Sequence, residues 1–131
     1  MYMLDTNICI YVIKKRPPKL LEKFNTIEKN SLCVSVVTYA ELWYGVERSA
    51  KKKRNRRVLE EFMALLDVLP WAPDAAREYG NIPSDLESKG TPIGNMDLLI
   101  AAHALATDCV LVSNNLREFR RIKKLKCENW V

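Results

Sequence analysis

MYMLDTNICIYVIK, residues 1–14, decides the fold class. The apolar run at residues 2–4 has strand character and stops at Asp5, and residues 7–14 carry helical periodicity. A strand that hands over directly to a helix is the first half of a βαβ unit. The same alternation recurs down the chain. Further strand-like runs lie at residues 32–37, 68–69 and 109–112, with a last short one at 127–130. Between them, residues 18–28, 38–49, 54–66, 74–88 and 95–107 read as helices. Strands alternating with helices predict an α/β fold: a roughly five-stranded, mostly parallel sheet flanked by helices.

The chain has 131 residues, and no linker, repeat or low-complexity tract interrupts it, so residues 1–131 are expected to form one domain. Asp5 breaks the first apolar run after four residues, which leaves no signal-peptide core, and no stretch approaches the roughly 18 apolar residues of a membrane span. A cytoplasmic, soluble protein is expected. Cys9, Cys33, Cys109 and Cys127 form no C-x-x-C pair and sit mostly among apolar neighbours, so they read as buried thiols in a reducing compartment. A net charge of +5 biases the chain toward polyanionic partners.

Two helix starts carry explicit signals. Thr38 with Glu41 three residues later fits a capping box, and Asp74 is a good N-cap type. Pro83 would remove a hydrogen bond inside the helix at 74–88, so a kink or break is expected near residues 81–84.

Three acidic residues lie where chemistry is placed in such folds. Asp5 follows the first strand, at the carboxyl edge where open parallel sheets bind ligands. Glu41 leads the helix after the second strand. Asp97 lies in the first turn of LLIAAHALA, a helix apolar enough to be buried. Each has a structural reading too: Asp5 as an N-cap, Glu41 as a capping-box partner, Asp97 as a dipole-favoured acid. Convergence of all three on one edge would be expensive unless the carboxylates protonate, pair or bind cations. All-oxygen ligation suits Mg²⁺, with Mn²⁺ substituting, and such ions activate a bound water for attack on a phosphodiester.

His103 is the only histidine, so a two-histidine acid–base mechanism is excluded within one chain. It falls about 240° round the helix from Asp97 and reads as a packing residue. KKKRNRR, residues 51–57, reads first as a solvated helix start and second as a grip on phosphates. Tyr39, Leu42, Trp43 and Val46 form an apolar stripe suited to core or subunit packing.

Four blocks in order give a family resemblance: MLDTNICIYVIK, VSVVTYAELWYGVERS, KGTPIGNMDLLIAAHALA, and VLVSNNLREFRRI with the closing ENW. Together they resemble the VapC-type PIN-domain ribonuclease toxins of bacterial toxin–antitoxin pairs. The resemblance implies a PIN fold and a Mg²⁺-dependent endoribonuclease with Asp5, Glu41 and Asp97 as its acidic residues. It also implies a homodimer and a VapB-type antitoxin whose tail can occupy the active-site groove. The RNA it points to is the anticodon loop of initiator tRNA. Where many relatives carry an aspartate in the fourth block, this chain has Ser113, Asn114 and Asn115, so that role falls to Glu118 or to Asn115.

Two other classes compete. A phospho-acceptor domain would place adjacent acids at the first strand and a lysine at a later strand end, but MYMLDTN supplies one acid and VLVSNN no lysine. A non-catalytic RNA-binding or adaptor domain would keep the fold without metal-dependent cleavage.

Overall fold

The computed structural model describes residues 1–83 and 93–131. Five strands form one parallel sheet: β1 (Tyr2–Leu4), β2 (Leu32–Ser35), β3 (Asp67–Leu69), β4 (Val110–Val112) and β5 (Cys127–Glu128), in the order β3-β2-β1-β4-β5. Among the described residues the α-helices are α1 (Thr6–Ile13), α2 (Pro18–Thr26), α3 (Val36–Glu47), α4 (Lys52–Met63), α5 (Pro73–Asn81), α6 (Asn95–Thr107) and the single turn α7 (Leu116–Phe119), with a 3₁₀ turn at Lys29–Ser31.

Both faces of the sheet are covered, which is why its strands are apolar at consecutive positions rather than alternate ones. Leu4, Leu32, Val34 and Val112 face a core shared with α1 to α4. Met3, Cys33 and Leu111 face the opposite core, filled chiefly from α6 by Leu98, Ile100, Ala101 and Ala104. β1 is central, with Met3 registered against Cys33 of β2 and Leu111 of β4. The chain leaves β1 toward β2 and returns on its other side as β4. Asp5 therefore stands at the switch point of the sheet, where a crevice opens.

Several boundaries move. Val36 and Val37 look like strand residues but begin α3, because the Ser35 hydroxyl accepts the Val37 amide at 3.0 Å and caps the helix there. Thr38 is thus inside the helix, and the expected capping box with Glu41 does not form. Asp74 is likewise within the first turn of α5, whose start is set by Pro73 at N1 after Ala72. That helix ends at Asn81, two residues before Pro83, as a break there requires. The remainder of the helix expected to Ser88 lies outside the described residues. α4 starts two residues early, at Lys52, and β5 stops at Glu128.

All four cysteines are free thiols; Cys9, Cys33 and Cys109 are buried, Cys127 half-buried. The Cys33 and Cys109 sulfurs touch at 4.0 Å. His103 packs as expected, buried with Nδ1 against the Ser35 hydroxyl at 2.7 Å. Among helices of the described residues, none is long and apolar enough to cross a membrane.

Candidate active site

Asp5 is extended backbone at the end of β1, with only 4% of its surface exposed. Its amide donates to the Val112 carbonyl across the sheet, which pins it to the carboxyl edge. Oδ1 accepts the Ile8 amide at 2.9 Å, so the residue does cap α1. The cap leaves its other oxygen for further work. Burial pushes the Asp5 carboxyl up to about 6, against the lowering effect of hydrogen bonds from Ser113 and the Ile8 amide; the charges of Asp97 and Glu41 add to the rise.

Glu41 lies on α3, nearly two turns beyond its cap, and is half-buried. Its Oε1 accepts the Thr6 hydroxyl at 2.6 Å, and Thr6 also lies 3.2 Å from the Thr38 hydroxyl. Because Ser35 has taken over the capping, Glu41 is free to face α1 instead of its own helix end. Asp97 sits in the first turn of α6 with its carboxyl raised, first by burial and then by the charges of Glu41 and Glu118. Like-charge repulsion thus links all four carboxylates.

Asp5, Glu41 and Asp97 line one cavity of about 360 Å³ together with Thr6, Asn7 and Asn95. Glu118 and Asn115 are not part of that lining. Glu118, on α7, is half-buried and accepts from Arg121 at 2.7 Å, an ion pair that stands alongside its influence on Asp97. Asn115 caps α7 without using its side chain, and its amide donates to the Ser113 hydroxyl at 2.9 Å.

Two hydroxyls add what the acidic pattern alone did not specify. Thr6 orients Glu41, and Ser113 bonds Asp5 while also accepting the Asn115 amide. The sequence offers only their positions, directly after Asp5 and directly after β4, and does not name their partners.

Among the described residues, no three His, Cys, Asp or Glu side chains stand close enough to enclose a metal ion, and no Lys or Arg pairs with Asp5, Glu41 or Asp97. The donors nevertheless fit Mg²⁺, which takes one or two carboxylates and keeps several waters rather than sitting in an all-protein cage. The carboxyls of Asp5 and Asp97 are raised first by burial and then by their acidic neighbours, so both charges are costly where they stand. A divalent cation would offset them.

Residues 2–125 match the family model described as PIN domain. The chain belongs to the PIN-domain family. It is 50% identical to Ribonuclease VapC2 of Haemophilus influenzae, covering 99% of this chain and 98% of that one. It is 44% identical to the tRNA(fMet)-specific endonuclease VapC of Salmonella typhimurium, over 98% of this chain and 97% of its relative. The crystal structure of VapBC2 from Rickettsia felis, bound to a DNA fragment from their promoter, contains a chain that superposes with a TM-score of 0.91 at 43% identity, covering 99% and 98% of the two. The PIN fold expected from the sequence is therefore the fold observed. PIN nucleases as a group depend on divalent metal, in keeping with the acidic cavity.

Proposed function

We propose that this chain is the toxin of a type II toxin–antitoxin pair, an endoribonuclease that uses Mg²⁺ or Mn²⁺ to hydrolyse the anticodon loop of initiator tRNA and so stops translation. The observation that carries the reading is the meeting of Asp5, Glu41 and Asp97 on one cavity at the switch point of the sheet. The similarity to a tRNA(fMet)-specific endonuclease supports the choice of RNA. A bound divalent cation would lower the pKa of a water and offset charge on the attacked phosphate. Asp5, Glu41 and Asp97 would hold that cation. Thr6 keeps Glu41 turned to the cavity, and Ser113 holds Asp5. Glu118 or Asn115 completes the site from α7.

The partner is a VapB-type antitoxin, a choice supported by the similarity to toxin–antitoxin complexes. A guanidinium from its tail can pair bidentately with the acidic cavity in place of the cation. The reading also includes a homodimer. A phospho-acceptor role is disfavoured because the residue at the end of β4 is Ser113, where that chemistry needs a lysine.

The test is cleavage of end-labelled initiator tRNA. Wild type should cut in Mg²⁺, stop in excess EDTA and recover with added Mn²⁺, whereas Asp97→Asn should lose at least about a hundredfold in rate, or about 2.7 kcal/mol of barrier. Undiminished cleavage in EDTA would refute the metal mechanism.

A further inference from the structure

The fold brings together two basic runs that are far apart in the sequence. Residues 14–16, Lys-Lys-Arg, follow the end of α1; residues 51–57, KKKRNRR, open α4. Lys14 shares a groove of about 430 Å³ with Ser49 and Asn55 at the α3–α4 turn, and Lys15 borders an adjoining hollow with Val58 and Glu61 of α4. The nine cations of the two runs are all exposed. Among the described residues, only Arg56 of the nine is in an ion pair, with Glu47 at 2.6 Å.

Local helix energetics do not account for them. Lys52, Lys53 and Arg54 occupy the first turn of α4, where the positive end of the helix dipole disfavours cations, with no acidic residue in that turn and no side-chain cap. The groove that Lys14 borders has Glu41 of the acidic cavity on its wall. From Glu41 to Arg48 at the end of α3 is seven residues, about 10 Å at 1.5 Å per residue. One phosphate cannot bridge that distance, whereas an extended polyanion can. The acidic cavity alone repels phosphate, and Lys14 on the groove's wall, with the basic run that flanks Asn55, supplies the missing attraction.

We propose that the surface formed by residues 14–16 and 51–57 is the track on which the phosphate backbone of the RNA substrate lies as it enters the acidic cavity. This rests on the nuclease reading for its substrate class. A repeating charge suits the track better than a small anion, because the cations are spread over the turn after α1 and the start of α4 rather than gathered on one point. Each phosphate neutralised there releases bound counterions, so the track must show itself in salt dependence.

The experiment titrates transcribed initiator tRNA onto the full chain carrying Asp5→Asn, which cannot cleave, between 50 and 300 mM KCl. It compares this chain with one that also carries Lys51→Gln, Lys52→Gln, Lys53→Gln and Arg54→Gln. All four positions are exposed, so the fold should persist, and circular dichroism checks it. The expected result is an at least tenfold weaker Kd near 100 mM, with the slope of log K against log salt shallower by about 2–3. A chain with Lys51→Arg, Lys52→Arg, Lys53→Arg and Arg54→Lys should keep the original slope, which separates charge from local packing. An unchanged slope in the glutamine chain overturns the track, as does a change seen with an antitoxin peptide or duplex DNA but not with RNA. Wild type that cleaves beside an unchanged slope fails the track alone. A shallower slope beside wild type that never cleaves fails the nuclease reading alone.

Discussion

Asp5 is held in a state that its own fold disfavours. Its carboxyl titrates at about 6 in the native chain against an ordinary 3.8. Between those values the folded state binds more protons than the unfolded one, so stability falls as pH rises from about 4 to above 6. At about 1.4 kcal/mol per pH unit, the penalty at pH 7 is on the order of 3 kcal/mol. Asp5→Asn keeps an acceptor for the Ile8 amide and removes the buried charge. It should stabilise the metal-free chain by about 1–3 kcal/mol at pH 7 and by little at pH 4, while abolishing cleavage. Urea denaturation at the two pH values reads this directly, and equal effects at both would contradict it. A second pair of substitutions addresses α7. Glu118 reaches Asp97 electrostatically but is anchored by Arg121, whereas Asn115 contributes no charge. In single-turnover cleavage at saturating Mg²⁺, Glu118→Gln should slow the reaction at least about tenfold, or about 1.4 kcal/mol. Unchanged cleavage by that variant beside a large loss in Asn115→Ala would transfer the role to the asparagine.

At the scale of elements, the start of α3 decides where Glu41 points. Ser35 caps that helix and, through the same hydroxyl, receives His103 of α6, tying together the two helices that carry Glu41 and Asp97. Ser35→Ala removes the cap, worth about 1 kcal/mol, and leaves the buried Nδ1 of His103 without a partner, worth about 1–3 kcal/mol more. The expected loss of about 2–4 kcal/mol would appear as a lower midpoint in denaturant; a loss under about 0.5 kcal/mol would mean the bridge is energetically idle. The same junction explains what the sequence could and could not reveal. Val36 and Val37 are β-branched, and Thr38 with Glu41 has the spacing of a capping box, so local propensity favoured a strand to residue 37. A single hydrogen bond donated by the Val37 amide to the Ser35 hydroxyl overrides it, and nothing local distinguishes Ser35 from Thr38 as a cap. The parallel sheet itself was legible because apolar strands buried on both faces leave short uninterrupted runs, as at residues 2–4 and 32–34. Asp5, Glu41 and Asp97 were legible as acids at the start of helices. Thr6 and Ser113 were not legible as their supports, since a hydroxyl's partner is set by tertiary approach.

At the scale of the whole molecule, an apolar face is left uncovered among the described residues. Val36, Tyr44 and Met96 are exposed at 36%, 61% and 50%, and Tyr44 and Met96 join Val37, Ala40 and Leu99 around a hollow of about 500 Å³. The sequence stripe of Tyr39, Leu42, Trp43 and Val46 turns instead toward the body of the molecule: Leu42 is buried, and Trp43 and Val46 pack against the α1–α4 core. Subunit packing is thus left to the opposite side of α3. Contiguous exposed apolar surface is uncommon on a monomer and favours association. Since Glu41 borders both this hollow and the acidic cavity, a second copy on the face would wall the active site without covering it. Each copy would present the same α3–α6 surface to the other, the isologous arrangement of a two-fold dimer. Wild type should therefore sediment at equilibrium as twice the 15.1 kDa chain at micromolar concentration. Tyr44→Glu with Met96→Glu places two charges on each side of the two-fold, where four like charges would face one another on dehydrated surface. That chain should sediment at 15.1 kDa and remain folded, because both positions are exposed in the single chain. A wild-type mass of one chain throughout the concentration range would remove the dimer, and a variant that still dimerises would move the interface to another face.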